Sequence, residues 1–144
     1  NIIEEAGNKL IIFAPFKNTI PVITDYIAKK HKDSTHAVIN GDVPKKDRDV
    51  IFDDFQNGDL NILVAHPAAM AHGLTLTAAN VITWWGPVDD FEIYEQANGR
   101  ISRPGQKRKQ YIKHLFCSDI EEAVYKRLSN KEKMQGLLLS MIKK

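Results

Sequence analysis

Gln96-Ala97-Asn98-Gly99-Arg100-Ile101-Ser102-Arg103 places a carboxamide ahead of two arginines that lie three residues apart. Two guanidiniums at that spacing can project from one face of a helix. Each is a planar, permanently charged fork, which suits phosphate oxygens better than a lysine ammonium does. No acidic residue follows until Asp119. The chemistry this arrangement could serve is neutralisation of a polyphosphate. By residue type alone, a pair of surface ion pairs is an equal reading.

The charge pattern around this stretch is ordered. Asp89, Asp90, Glu92 and Glu95 come first, and Arg100, Arg103, Lys107, Arg108, Lys109 and Lys113 follow. Acid before base is what a helix leading into a polyanion site would show. Charge alone favours a plainer solvated surface, and the net charge of +2 is too small to imply nucleic-acid binding. The 144 residues, 43% hydrophobic and 26% charged, match one globular domain with a real core. The single cysteine, Cys117, excludes an internal disulfide and reads as a small packed hydrophobe. Neither a signal peptide nor a membrane span is evident. The chain opens at Asn1, in keeping with a piece of a longer polypeptide.

Alternating strand and helix signals must position the arginines. Leu10–Ala14, Thr35–Ile39, Asn61–Ala65, Asn80–Trp84 and Gln110–Phe116 read as strands. The first and third are each stopped by a proline, Pro15 and Pro67. Asn18–His31 reads as a helix with Ile20, Ile23, Ile27 and Ala28 on its apolar face. A second helix opens near Pro44, buries Val50 or Ile51 together with Phe55, and ends at Gly58. Asp89–Ile101 reads as a third helix, ending before Pro104-Gly105. Ser118-Asp119-Ile120-Glu121 has capping-box form and starts a long last helix, which Gly136 is expected to interrupt. Five apolar strands between helices predict an α/β fold: a mostly parallel open sheet with helices on both faces. Ligands then bind beyond the carboxyl ends of the strands. Trp84 reads as core and Trp85 as packing at the sheet edge, with stacking on a base the other option. Lys107, Arg108 and Lys109 fit a nucleic-acid contact or a solvated hairpin equally.

Absences narrow the chemistry. The chain has no G-x-x-x-x-G-K-[ST] loop, no magnesium-holding acid pair, no G-x-G-x-x-G after a strand and no G-x-S-x-G elbow. The five histidines lack metal spacing, so no metal site is expected. A domain of this kind is not expected to run ATP chemistry alone. That weighs against a self-sufficient glycosyl- or phosphotransferase.

The Q-x-x-G-R-x-x-R pattern resembles the last motif of superfamily-two helicases. Residues 62–106 are similar to the second RecA-like lobe of Swi/Snf-type DNA translocases, above all to phage and prophage members. Val64-Ala65-His66-Pro67-Ala68, Ala71-His72-Gly73-Leu74-Thr75-Leu76-Thr77, Val81-Ile82-Thr83-Trp84, Tyr94 to Arg100 and Ser102-Arg103-Pro104-Gly105-Gln106 carry the likeness. Lys9 to Phe13, Asn40-Gly41 with Arg48, Phe55 to Gly58, and Asp119 to Glu122 with Lys131 extend it to nearly the whole chain. Chromatin-remodelling members differ. They carry a glycine pair where this chain has Met70-Ala71, a basic residue near Ala68, and W-N-P where it reads Trp85-Gly86-Pro87.

The resemblance implies that residues 1–144 are one RecA-like helicase C-terminal lobe of an ATP-dependent DNA helicase or translocase. The N-terminal ATP-binding lobe, which would hold Mg²⁺, lies elsewhere in the same polypeptide. Arg100 and Arg103 would be arginine fingers reaching ATP across a cleft. Gln96 would orient one of them or contact the nucleotide, and Gly99 would keep the backbone close to the cleft. Gly73 would shape a tight loop sensing nucleotide and DNA. Lys17, His66, His72 and Thr75 would contact the backbone of DNA, expected to be double-stranded. A phage or bacterial-host cytoplasm is the implied setting. A non-catalytic nucleic-acid-binding module and an RNA helicase lobe are the alternatives.

Overall fold

A computed structural model describes residues 9–70 and 75–142, with side chains of the last helix described through Lys131. Five strands form one sheet: β1 (Leu10–Phe13), β2 (His36–Ile39), β3 (Ile62–Ala65), β4 (Val81–Trp84) and β5 (Tyr111–His114). Their order is β2-β3-β1-β4-β5, and all four pairings are parallel. Between them lie α1 (Thr19–Lys30), α2 (Lys45–Asn57), a 3₁₀ turn (Pro67–Met70) and α3 (Phe91–Asn98), with α4 (Asp119–Ile142) last. The expected α/β architecture is therefore present, and parallel throughout.

The two-residue period of a strand splits the core. Leu10, Ile12, Ile62, Val64 and Val81 face α1, where Ile20, Ile23 and Ile27 meet them. Ile11, Phe13, Leu63, Ala65, Ile82 and Trp84 face the opposite side, against Phe52, Phe55, Tyr94, Ala97, Tyr125 and Leu128. Both faces are covered, as near-continuous apolar strands require. Lys9 Nζ fastens the start of β1 to the end of α2, donating to the carbonyls of Gly58 and Leu60, each at 2.7 Å.

Several expectations need correction. Ala28 is exposed, so the apolar face of α1 is narrower than its sequence suggests. On α2 the buried pair is Phe52 and Phe55; Val50 is 65% exposed and Ile51 only half-buried. An i, i+3 aromatic pair fills the space, and their bulk sets the helix phase. Cys117 is exposed rather than packed. It lies in the capping segment of α4, where its N–H donates to Glu121 Oε1 (2.7 Å) and Ser118 Oγ accepts from Glu121 N–H (3.2 Å). Gly136 does not interrupt α4. α3 ends at Asn98, three residues before the expected Ile101.

The connection from β3 to β4 passes β1, so the strand order reverses there, with β2 and β3 on one side of β1 and β4 and β5 on the other. That crossing contains Gly73 and His72, which lie outside the described residues. Among the described residues, no helix is long and apolar enough to cross a membrane.

Candidate functional site

The arginines do not share a helix face. α3 is capped at its start by Asp90, whose carboxylate accepts from the N–H groups of Glu92 (2.9 Å) and Ile93 (3.2 Å). It closes at Gly99, whose φ of −66° is ordinary. A Cβ there would lie 3.3 Å from the Glu95 carbonyl and 3.4 Å from that of Gln96, so the small residue keeps the helix end tight. The chain then turns, and Arg100 and Arg103 sit in the turn. Gln96 donates along its own helix to Glu92 Oε1 at 3.3 Å and is bonded to neither arginine.

Arg100 is only 3% exposed. Its Nε and Nη1 have no hydrogen-bond partner among the described residues, nor does Nε of the half-buried Arg103. Burial, and then the charge of Arg103, push the Arg100 guanidinium pKa down from its ordinary range. A guanidinium remains charged nonetheless. Two cations brought together with unsatisfied donors are costly for the fold and favourable for a polyanion.

Behind this turn is a bonded aromatic cluster. Trp84 Nε1 donates to Asn98 Oδ1 at 2.8 Å, and the Trp84 ring packs on Phe13 and Tyr94. Tyr94 Oη and His114 Nε2 are 2.8 Å apart. The His114 ring stacks on Tyr125, with centroids 4.2 Å apart. The Tyr125 hydroxyl donates to the carbonyl of Leu115 (2.9 Å), and burial pushes its pKa up. Burial lowers that of His114 below its ordinary 6.5. The unfolded chain therefore takes up a proton at His114 before the folded one does. Stability is unaffected above pH 6.5 and falls as the pH drops below it. Thermal unfolding against pH is expected to show this loss, and a His114→Phe variant to show a shallower one.

A second region lies beyond the carboxyl ends of β1, β2 and β3. Lys17 and His66 line one cavity of about 300 Å³ together with Pro15, Asn40, Gly41 and Asp42. Lys17 is not a free cation, because its Nζ lies 2.9 Å from Asp42 Oδ2 on the exposed rim. His66 Nδ1 accepts from the Ala68 N–H at 3.1 Å, which leaves Nε2–H as the donor of a neutral ring. Thr75 is exposed and does not line this cavity. Its neighbour Leu76 donates its N–H to the Arg100 carbonyl at 2.9 Å, so Thr75 belongs beside the arginine turn. Of the sequence-nominated contacts, the structure joins Lys17 with His66, while Thr75 adjoins Leu76, whose N–H bonds the Arg100 carbonyl.

Two polar residues, Gln56 and Gln106, carry no role in the sequence reading, and Arg108 stands there only as a nucleic-acid contact or part of a solvated hairpin. Gln56 receives the Ala78 N–H and donates to Thr77 Oγ1, both at 3.0 Å. Gln106 and Arg108 donate to carbonyls of the same segment. The sequence signal of Gln56 and Gln106 is their position inside the likeness, and that of Arg108 is the basic run Lys107-Arg108-Lys109. Among the described residues, no group of three or more His, Cys, Asp or Glu side chains could hold a metal ion.

Fold and arginine turn together define a RecA-like lobe of the helicase type. The chain belongs to the helicase conserved C-terminal domain family, whose model matches residues 1–105. It is 34% identical to protein p41 of Acyrthosiphon pisum secondary endosymbiont phage 1, over 63% of this chain and 21% of that protein. It is 26% identical to the human chromatin-remodeling ATPase INO80, over 96% of this chain and 9% of INO80. The C-terminal part of the Fun30 ATPase domain has the same fold, with a TM-score of 0.76, 24% identity, and 86% of this chain matched to 40% of that one. The Swi/Snf-type and phage likeness seen in sequence thus holds. The chain spans only a minor part of the length of these curated relatives.

Proposed function

We propose that residues 1–144 form the second motor lobe of an ATP-dependent DNA translocase. The ATP-binding lobe, with its Mg²⁺, lies elsewhere in the same polypeptide. The observation that carries this reading is the buried Arg100 guanidinium with unpartnered nitrogens beside Arg103. Phosphoryl transfer to water depends on positioning and on neutralising the charge that builds on phosphate oxygens. ATP supplies the transferable phosphoryl group, and the two arginines suit its oxygens. When the lobes close, Arg100 is already desolvated, so its field acts at low dielectric and little reorganisation is needed.

The cavity beyond β1–β3 supports a DNA contact. Lys17 contributes charge, shared with Asp42, and His66 contributes a neutral donor. Neither reads base sequence, which suits movement along a backbone. Thr75 and His72 would approach the strand from the β3–β4 crossing, and Gly73 would shape that loop.

The test is ATP turnover by the full-length polypeptide with duplex DNA, duplex RNA or neither. Stimulation by duplex DNA alone is expected, and the isolated chain should bind ATP weakly without hydrolysing it. Equal stimulation by RNA would assign the lobe to an RNA helicase. Strong turnover by the isolated chain would overturn the two-lobe reading.

A further inference from the structure

We infer that the Gln106 carboxamide is a positioning residue that locks the arginine turn to the segment returning from the β3–β4 crossing. The inference rests on the proposed role of Arg100 and Arg103.

Gln106 Nε2 lies 2.8 Å from the Ala79 carbonyl, 3.1 Å from that of Ile101 and 3.4 Å from that of Thr77. Three acceptors around one NH₂ fix which way the carboxamide faces, since its oxygen would be repelled there. That oxygen instead accepts from the Arg108 N–H at 3.3 Å. Ile101 lies between the two arginines, whereas Thr77 and Ala79 lead into β4. One side chain therefore bridges two stretches of backbone more than twenty residues apart.

This matters because of how Arg100 is held. Its Nε and Nη1 bond to nothing among the described residues, so no side-chain partner there sets their direction. Their position follows from the backbone of the turn. That backbone is tied to the returning segment by the Leu76 N–H to Arg100 carbonyl bond and by Gln106. Gln56 anchors the far side of the segment to α2, and Arg108 Nη2 adds a bond to the Ala78 carbonyl at 2.5 Å from the exposed side. The half-buried Gln106 hydrogen-bonds both stretches with one carboxamide. Displacement of the Thr75 segment by DNA is passed through it to the arginines.

The experiment uses the full-length polypeptide with Gln106→Leu and Gln106→Glu. Leucine keeps the bulk and removes the donor. Glutamate places a carboxylate among three carbonyls at neutral pH and regains one O–H donor when protonated. DNA-stimulated kcat is expected to fall by about 10²-fold in both variants, the scale of a small misplacement of reacting groups. KM for ATP and Kd for duplex DNA should stay within about twofold, because only the transition-state contact is disturbed. As pH is lowered through the carboxyl range, kcat of Gln106→Glu relative to the unaltered protein should rise, while that of Gln106→Leu should not.

The inference is overturned if kcat is kept in both variants, or if its loss merely tracks the unfolded fraction seen in thermal unfolding. If Gln106→Leu fails to fold, the pH response of Gln106→Glu decides. An Arg103→Ala control separates the two levels. Retained turnover in that control sinks the finger reading itself, whereas lost turnover there with retained turnover in the Gln106 variants sinks only the lock.

Discussion

Arg103→Ala in the full-length polypeptide is expected to lower ATP turnover by roughly 10³–10⁵, or about 4–7 kcal/mol of transition-state stabilisation, while duplex-DNA affinity changes little. The DNA contact proposed for Lys17 and His66 lies at a cavity whose lining does not include the arginines, so the two readouts should separate. Equal loss of both would mean misfolding. Arg100 permits a sharper version. It is buried, its nitrogens Nε and Nη1 lack partners among the described residues, and Arg103 repels it. A buried cation with so little compensation burdens the fold. Arg100→Met should therefore abolish turnover and leave thermal stability equal or higher. An arginine held for structure would show the reverse: turnover per folded molecule intact and the melting temperature lowered. Paired turnover and melting measurements on this variant are the most direct check of why the residue is there.

The second large effect concerns the support behind the turn. Trp84 is fully buried, contacts the Phe13 and Tyr94 rings, and bonds Asn98 at the last position of α3. Trp84→Ala should destabilise by about 3–5 kcal/mol through the cavity it leaves, read from denaturant unfolding. Trp84→Phe keeps much of the ring but strands the Asn98 carboxamide, at a cost of about 1–3 kcal/mol. Asn98 lies two residues before Arg100, so this variant should also lower turnover at temperatures where the domain stays folded. Full turnover in a folded Trp84→Phe protein would show that α3 needs no such anchor to present the arginines.

Much of the fold could be read from residue order. Strand positions followed from short apolar runs stopped by Pro15 and Pro67, because a buried parallel strand needs side chains suited to both faces. The cap at Ser118 followed from local hydrogen-bonding chemistry, whereas the Asp90 cap came from the structure. Helix phase was less legible. On α2, Val50 and Ile51 compete with Phe52 for the core, and only the depth of the space against β2 and β3 decides for the larger ring. Cys117 misled for a similar reason: an apolar neighbourhood in sequence became an exposed cap in space.

The arginine pair, its motif and its family were set by sequence alone, since residue type and spacing are one-dimensional facts. What each arginine experiences was not. That α3 stops at Asn98, that Arg100 turns inward while Arg103 stays half-exposed, and that Thr75 is outside the Lys17 cavity and next to Leu76, which bonds Arg100, all came from the assembled sheet. So did the Gln106 contacts to carbonyls of Thr77, Ala79 and Ile101. Desolvation and hydrogen bonding across more than twenty residues depend on which surfaces the chain buries against one another. No local pattern encodes that, because the partners meet only after β3 has crossed β1 to reach β4.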